Sequence, residues 1–300
     1  MAVLALDIGA TKFVAAVSDT PPVLRKVRRA QVPATGVWDA CCALLRQVAG
    51  GEEVSAVGIA ACGPVDSRAG TAAPLNIPEW RTGFPLVSAV RDLFPAADIH
   101  FAIDGAALAL AEWRIGGLRG IDSGLAMTVS SGIGGGIISD GRVLFGRTGN
   151  AGHVGHIVVP GWEVPCACGG VGCVEAVAGG MSSVRWARER GWPGTTGAEL
   201  AAAAHTGDGI AVAALARAGT ALGRAICSAA ATLDIDRVVI GGGFAEAGPP
   251  LWDPMRETVA THARLAFIRD LDVRRSTIAE GATLVGAALL AAGSEECDPY

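Results

Sequence analysis

The sequence predicts an α/β protein built as two lobes of similar design. Three observations predict it. Strand-like apolar runs alternate with helical patterns, the mark of an α/β sheet. A strand, glycine turn, strand order occurs near residue 7 and again near residue 130. The 300 residues exceed what one hydrophobic core usually supports, and 51% apolar content gives ample material to bury.

In chain order, Ala2–Leu6 is an apolar strand, Asp7–Lys12 a turn and Phe13–Val17 a second β-branched run, together a hairpin with a glycine-containing tip. Val54–Ile59 and Ile99–Ile103 read as further strands, and Asp104 stands immediately before an alanine- and leucine-rich helix that ends near Trp113. Gly116-Gly117 followed by Gly120 is the candidate hinge. The second hairpin has strands at Gly124–Val129 and Gly136–Ser139 around the turn Ser130–Gly135, and Asp140-Gly141 turns the chain into Arg142–Phe145. Helical segments are expected at Ser182–Arg190, Ala198–His205 and Gly209–Leu233, then a buried strand at Arg237–Ile240 and the turn Gly241-Gly-Gly243. A last helix, Ala282–Ala292, is apolar nearly all round and is expected to pack back into the first lobe, with a frayed tail from Ser294. The expected division is therefore 1–116 with helix 281–293 as one lobe and 117–280 as the other.

A net charge of −5 and the absence of any Lys/Arg-rich block, with Lys12 and Lys26 the only lysines, exclude a nucleic-acid-binding surface. The mean hydropathy of +0.42 is high. However, the longest apolar run, Ala282 to Gly293, falls short of the roughly 20 residues of a spanning helix. Met1–Leu6 shows no basic n-region or cleavage site, so no membrane association and a cytoplasmic location are expected. Eight cysteines in such a chain point to metal binding or burial before disulfides.

Three turns can cradle an anion. Asp7-Ile-Gly-Ala-Thr-Lys12 joins an acid at a strand end to small residues, a hydroxyl and an ammonium. A strand follows it, so it is neither a Rossmann fingerprint nor a P-loop, and alone it reads equally as a plain hairpin turn. Ser130-Ser-Gly-Ile-Gly-Gly-Gly136 sacrifices more backbone entropy than a hairpin needs, which close approach of a ligand would explain. Gly241–Gly243 follows a strand at its carboxyl end, where open α/β sheets bind nucleotides, although a surface loop has the same composition.

Cys166-Ala-Cys168 and Cys173, with His156 ten residues upstream of the first, form a metal-ligand set. Adjacent C-x-C thiols do not bridge one another easily, whereas three thiolates and an imidazole satisfy tetrahedral Zn²⁺ and leave no open position. His153 stands three residues before His156, and spacing alone does not choose between them. Cys41, Cys42, Cys62, Cys227 and Cys297 lack partners at ligand spacing and read as packing residues or inert thiols.

Together these features resemble the ROK family (repressor, open reading frame, kinase). The carriers are Gly152-His-Val-Gly-His156 through Cys166-Ala-Cys-Gly-Gly-Val-Gly-Cys-Val-Glu175, with Asp7–Lys12, Ser131–Gly136 and Val239–Gly243. The resemblance implies the duplicated actin-like ATPase (ribonuclease H-like) fold with a central cleft between two lobes. It implies transfer of the γ-phosphate of ATP to a hexose hydroxyl, the 6-hydroxyl, with Asp104 as general base and Asp7 holding Mg²⁺. By the same resemblance Gly9, Ala10, Thr11, Lys12, Ser131, Gly132, Gly134, Gly241, Gly242 and Gly243 bind ATP. Glu175 and His156 then contact the sugar, His156 is the metal ligand, and zinc is structural. A homodimer is implied as well. Two departures stand out, Ile103 before Asp104 where the family has Asn, and His153 where it has Glu. Both positions normally contact sugar hydroxyls, so these two residues point away from plain glucose and toward a modified hexose such as an amino or deoxy sugar. A non-catalytic sugar sensor of the same family is the alternative. A family repressor would need a winged helix-turn-helix before the Asp-x-Gly motif, which here begins at residue 7. A zinc hydrolase would need an open metal position.

Overall fold

The computed structural model describes residues 2–278 and 281–293. Its first elements are β1 (Ala2–Ile8), β2 (Lys12–Thr20), β3 (Val23–Gln31), α1 (Val37–Ala49), β4 (Val54–Ala61), β5 (Val65–Asp66), β6 (Thr71–Ala72), α2 (Leu86–Leu93), β7 (Asp98–Ile103) and α3 (Asp104–Ile115). Then come β8 (Gly124–Val129), β9 (Ile133–Ser139), β10 (Arg142–Leu144), α4 (Val174–Ala178), α5 (Gly180–Arg188), α6 (Gly197–His205) and α7 (Gly209–Leu233). The chain closes with β11 (Arg237–Gly241), α8 (Pro249–His262), β12 (Asp272–Arg275) and α9 (Ala282–Ala291). It divides into two compact units, one made of the segment up to Asp122, Gly136–Gly152 and the C-terminal helix, the other of Ser123–Gly135 and His153–Thr277.

The first unit carries a five-stranded sheet in the order β3-β2-β1-β4-β7. β1, β4 and β7 run parallel with Asp7 beside Ala60 and Ala61 beside Ile103, so the chain segments after Ile8, Ala61 and Ile103 all leave from one edge of the sheet. β1 and β4 are almost wholly apolar and buried, as strands covered on both faces require. α9 packs against β1, β4 and α3, as expected of a helix that is apolar all round. Glycines make that contact close: a Cβ on Gly58 would lie 1.8 Å from the Ala287 carbonyl oxygen, and one on Gly286 1.9 Å from that of Ala107. The abundance of Gly and Ala is thus a packing requirement here. The edge strand β3 places Arg25, Lys26, Arg28 and Arg29 along its length, the charged guard that an open edge needs against strand addition.

A second five-stranded sheet runs β10-β9-β8-β11-β12, with β8, β11 and β12 parallel. α7 is its unit's central helix and packs on α4, α5, α6 and α8. At 25 residues it is long and apolar enough to cross a membrane, which the sequence reading, fixed on 282–293, overlooked. Its apolarity serves the core, since 61% of its most apolar stretch is buried within the protein.

Most expected elements form with ends shifted by one or two residues. At the second glycine turn β9 begins at Ile133 and not at Gly136, so Gly134 and Gly135 join the strand and the turn itself is only Ser130–Gly132. One of the strand's glycines answers to packing: a Cβ on Gly136 would lie 1.9 Å from the Gly105 carbonyl oxygen at the start of α3. Cys297 and the tail from Ser294 lie outside the described residues.

Candidate functional site

In the first unit the candidate residues gather where parallel strands end. Asp7 is the penultimate residue of β1, and the chain then turns through Gly9, Ala10 and Thr11 to Lys12 at the start of β2. The Gly9 amide donates to the Lys12 carbonyl at 3.0 Å, which closes the turn. Asp104 opens α3 directly after β7, with Ile103 as the extended residue before it. Ile103 is only 1% exposed, so its side chain serves the core. The N-terminus of a helix stabilises negative charge, and one Asp104 carboxylate oxygen accepts from the Gly105 amide at 2.7 Å.

Two acids meet here with one nearby cation. Burial first, and then the Asp104 charge, raise the Asp7 carboxyl from its ordinary value to about 7, while Lys12 acts in the opposite direction. Such a pair of mutually opposed carboxylates at the carboxyl ends of parallel strands is the arrangement in which a proton acceptor and a cation ligand can be held at neutral pH. Cys62 lies between them in the sheet order, at the end of β4, its amide bonded to the Ile8 carbonyl at 2.8 Å. Burial and the charges of Asp104 and then Asp7 push its thiol up, so it stays protonated. Sequence reasoning passed over Cys62 because only the sheet order brings it beside these acids.

In the second unit, the turns Ser130–Gly132 and Gly241–Gly243 follow the neighbouring parallel strands β8 and β11, with Gly241 beside Thr128. Gly242 has φ of +99°, and a Cβ there would lie 2.5 Å from the Val129 carbonyl oxygen, so only glycine fits. Gly243 has open space where a side chain would be. The Phe244 amide then donates to the Val129 carbonyl at 3.0 Å and ties the two turns together.

The His–Cys set is assembled as expected. The donor atoms of His156, Cys166, Cys168 and Cys173 all lie within 4.8 Å of one another. Cys168 Sγ and Cys173 Sγ are 3.7 Å apart, and Cys166 Sγ is 3.7 Å from His156 Nδ1. A tetrahedral ion with metal–sulfur bonds near 2.3 Å sets its thiolates roughly 3.8 Å apart, so the donors fit one. The loop is built for this. Gly169 and Gly172 take φ of +89° and +79°, and the Gly170 amide donates to Cys168 Sγ at 3.4 Å, lowering that thiol's pKa. His153 packs edge-on to His156 with ring centres 5.8 Å apart and precedes a short 3-10 turn, Val154–His156. Its ring is not in that donor set, which takes His156. Burial, and then His156, lower its pKa and keep it neutral at pH 7.

Glu175 lies two residues beyond Cys173 in α4. Its Oε2 accepts from the Ile133 amide at 2.8 Å, a link across 42 residues that no local pattern announces. Around the cysteine loop, Trp162 and Trp186 alternate with Arg224, Arg217 and Arg190 in a cation–π ladder, with centroid distances from 3.8 to 5.9 Å. This ladder fastens the loop to α7 and α5.

The ROK family pattern matches residues 3–294. The chain is 32% identical to a glucokinase of Thermotoga maritima over 95% of each chain. It is 33% identical to an N-acetylmannosamine kinase of Escherichia coli over 98% of this chain and all of the other. Among solved structures, a ROK family glucokinase from Streptomyces griseus in complex with glucose and AMPPNP superposes with a TM-score of 0.85 at 31% identity, covering 97% of this chain and 99% of that one. The likeness extends over both units, and with it the actin-like ATPase fold expected above. The turns, the paired acids and the His–Cys knuckle are therefore those of a ROK family protein, and to that family this chain belongs.

Proposed function

We propose that the chain is a cytoplasmic, ATP-dependent sugar kinase in which Asp104 is the general base. The observation that carries this reading is the opposed pair Asp104 and Asp7 at the carboxyl ends of β7 and β1. Phosphoryl transfer asks for one correctly placed base, charge neutralisation and positioning, and little else. Asp104 takes the proton of the accepting sugar hydroxyl, the one at carbon 6. As the sugar oxygen bonds to the γ-phosphorus, the bridging bond to the β-phosphate breaks and ADP leaves. Lys12 and the turn residues Gly9, Ala10, Thr11, Ser131, Gly132, Gly134, Gly241, Gly242 and Gly243 hold the nucleotide. AMPPNP in the Streptomyces griseus relative supports ATP as the donor.

Asp7 is the residue that would hold Mg²⁺, whose role is to neutralise charge on the phosphates. His156, Cys166, Cys168 and Cys173 would hold Zn²⁺, which with four protein ligands supplies stability to the loop and no Lewis-acid chemistry. The sugar is assigned to Asp104, His153, His156 and Glu175, with Ile103 contributing shape. Relatives named for glucose and for N-acetylmannosamine bracket the substrate class, and the neutral imidazole of His153 at a sugar-contacting position favours a modified hexose. A homodimer is assigned on the family resemblance. A second reading, a sugar sensor without catalysis, draws on the two altered sugar contacts, His153 and Ile103, the latter a buried side chain that offers no hydrogen bond.

The test is MgATP-dependent ADP release across glucose, mannose, glucosamine, N-acetylglucosamine and N-acetylmannosamine. Turnover of one of them is expected. Binding of a sugar with no turnover on any would replace the kinase with the sensor.

A further inference from the structure

We propose that Glu175 is also a positioning residue for the nucleotide: its carboxylate fixes the Ser130–Gly132 turn, so that the metal-anchored loop orders the phosphate-binding backbone. The inference rests on the reading of that turn as a phosphate cradle. It goes further by giving Glu175 a task that needs no sugar.

Five contacts carry it. Oε2 of Glu175 accepts the Ile133 amide at 2.8 Å, at the point where the turn becomes β9. Gly132 must be glycine for that carboxylate to enter, since a Cβ there would lie 2.5 Å from the same Oε2. The residues after Glu175 continue the clasp, as the Gly180 amide donates to the Ser130 carbonyl at 2.8 Å and the Met181 amide to that of Ser131 at 3.1 Å. From the other side, Gly155 of the His153–His156 turn comes so near that a Cβ on it would lie 2.1 Å from the Ile133 carbonyl oxygen. The turn is thus held from both sides by segments flanking metal donors, His156 on one and Cys173 on the other.

A carboxylate bonded to a backbone amide is a charge-assisted hydrogen bond, stronger than a neutral one. Removing it leaves the Ile133 amide unpaired and the turn free to sample other conformations, which a nucleotide must then order on binding. A residue that touches only sugar would have no such effect on nucleotide affinity.

The experiment is calorimetric binding of MgAMPPNP, with no sugar present, to the unsubstituted protein, Glu175→Ala and Glu175→Gln, each with its zinc content measured. The alanine variant is expected to bind about tenfold more weakly or worse, the factor one charge-assisted bond commands. The glutamine variant, whose amide oxygen still accepts the Ile133 amide, stays within about threefold of the unsubstituted protein. Equal affinity in the alanine variant overturns the proposal and leaves Glu175 to the sugar alone, with the kinase reading intact. Absence of MgAMPPNP binding to the unsubstituted protein overturns the kinase reading itself. Should the alanine variant fail to fold, hydrogen exchange at Ile133 in the unsubstituted protein decides: slow exchange supports the link and free-loop exchange refutes it.

Discussion

The two hairpins, β1–β2 and β8–β9, have the same plan and use their acids in opposite ways. Each turns through three residues, Gly9–Thr11 in one and Ser130–Gly132 in the other, and each is closed by one backbone bond across the turn. In the first the acid, Asp7, sits on the strand itself, and its surroundings resist its charge. In the second the strand ends in Val129, and the acid arrives from α4 as Glu175, its charge engaged by the Ile133 amide. The difference separates two uses of a carboxylate. One whose charge is opposed by its surroundings is available to a cation or a proton, and one already bonded to backbone holds geometry.

The largest effect on stability should come from the second unit. Replacing Cys173 by Ser, or stripping the metal with a chelator, removes a tetrahedral donor set and should lower Tm by about 10 °C or more. Calorimetry with metal analysis checks it, and an unchanged Tm on loss of one zinc equivalent would mean that the knuckle does not anchor the loop.

In the first hairpin the substitution Asp7→Asn should act in the other direction on stability while abolishing turnover. The folded-state pKa of about 7 lies above the ordinary 3.8, so between these values the folded state binds more protons than the unfolded one. Stability is therefore lost as pH rises from about 4 to about 7 and stays lower above that. In EDTA at pH 8 the variant should be more stable than the unsubstituted protein by a few kcal/mol, and the two should converge below about pH 4. A destabilised variant at pH 8 would show that Asp7 is satisfied in the folded protein, as Glu175 is.

Gly136→Ala and Gly134→Ala sharpen the distinction between packing and binding. The first drives a methyl to 1.9 Å from the Gly105 carbonyl oxygen, whereas the second meets only the Thr128 methyl at 3.5 Å. Gly136→Ala should cost about 1–3 kcal/mol in denaturant unfolding, and Gly134→Ala less than about 1. Similar losses at both would remove the packing explanation for the glycine run.

The smallest effect belongs to the charged edge of the first sheet. Hydrogen bonds from Arg25 and then Lys26 hold the half-buried Glu52 carboxyl down to about 2. A depressed acid contributes its stability above its ordinary value of 4.5 and loses it as pH falls through about 2. Because the pair is screened by solvent, Glu52→Gln should lower Tm by only about 1 °C at pH 7 and by nothing measurable at pH 2.

Much of this was legible in the sequence. Strand and glycine patterns located both hairpins, and the spacing of Cys166, Cys168 and Cys173 announced the His–Cys cluster, because these signals are local. What escaped depends on contacts distant along the chain. Gly134 reads as turn until β9 is seen to begin at Ile133, and Cys62 reads as packing until sheet order sets it beside Asp7 and Asp104. The hydrogen bond from Ile133 to Glu175 spans 42 residues. β3 escaped for another reason: its exposed Arg and Lys residues mask the strand alternation, as suits an edge. α1 carries no side-chain cap, since Gly36 precedes it in a left-handed conformation, and Pro254 inside α8 argues against helix where one forms.

The most direct measurement of the central claim is kcat for Asp104→Asn on whichever sugar the unsubstituted protein phosphorylates, with MgATP saturating and MgAMPPNP affinity measured alongside. Loss of about 10²–10⁴ in kcat, with nucleotide affinity unchanged, is the predicted result for a general base. Retention of kcat within a few fold would contradict the account and return Asp104 to the ordinary role of an acid in the first turn of a helix.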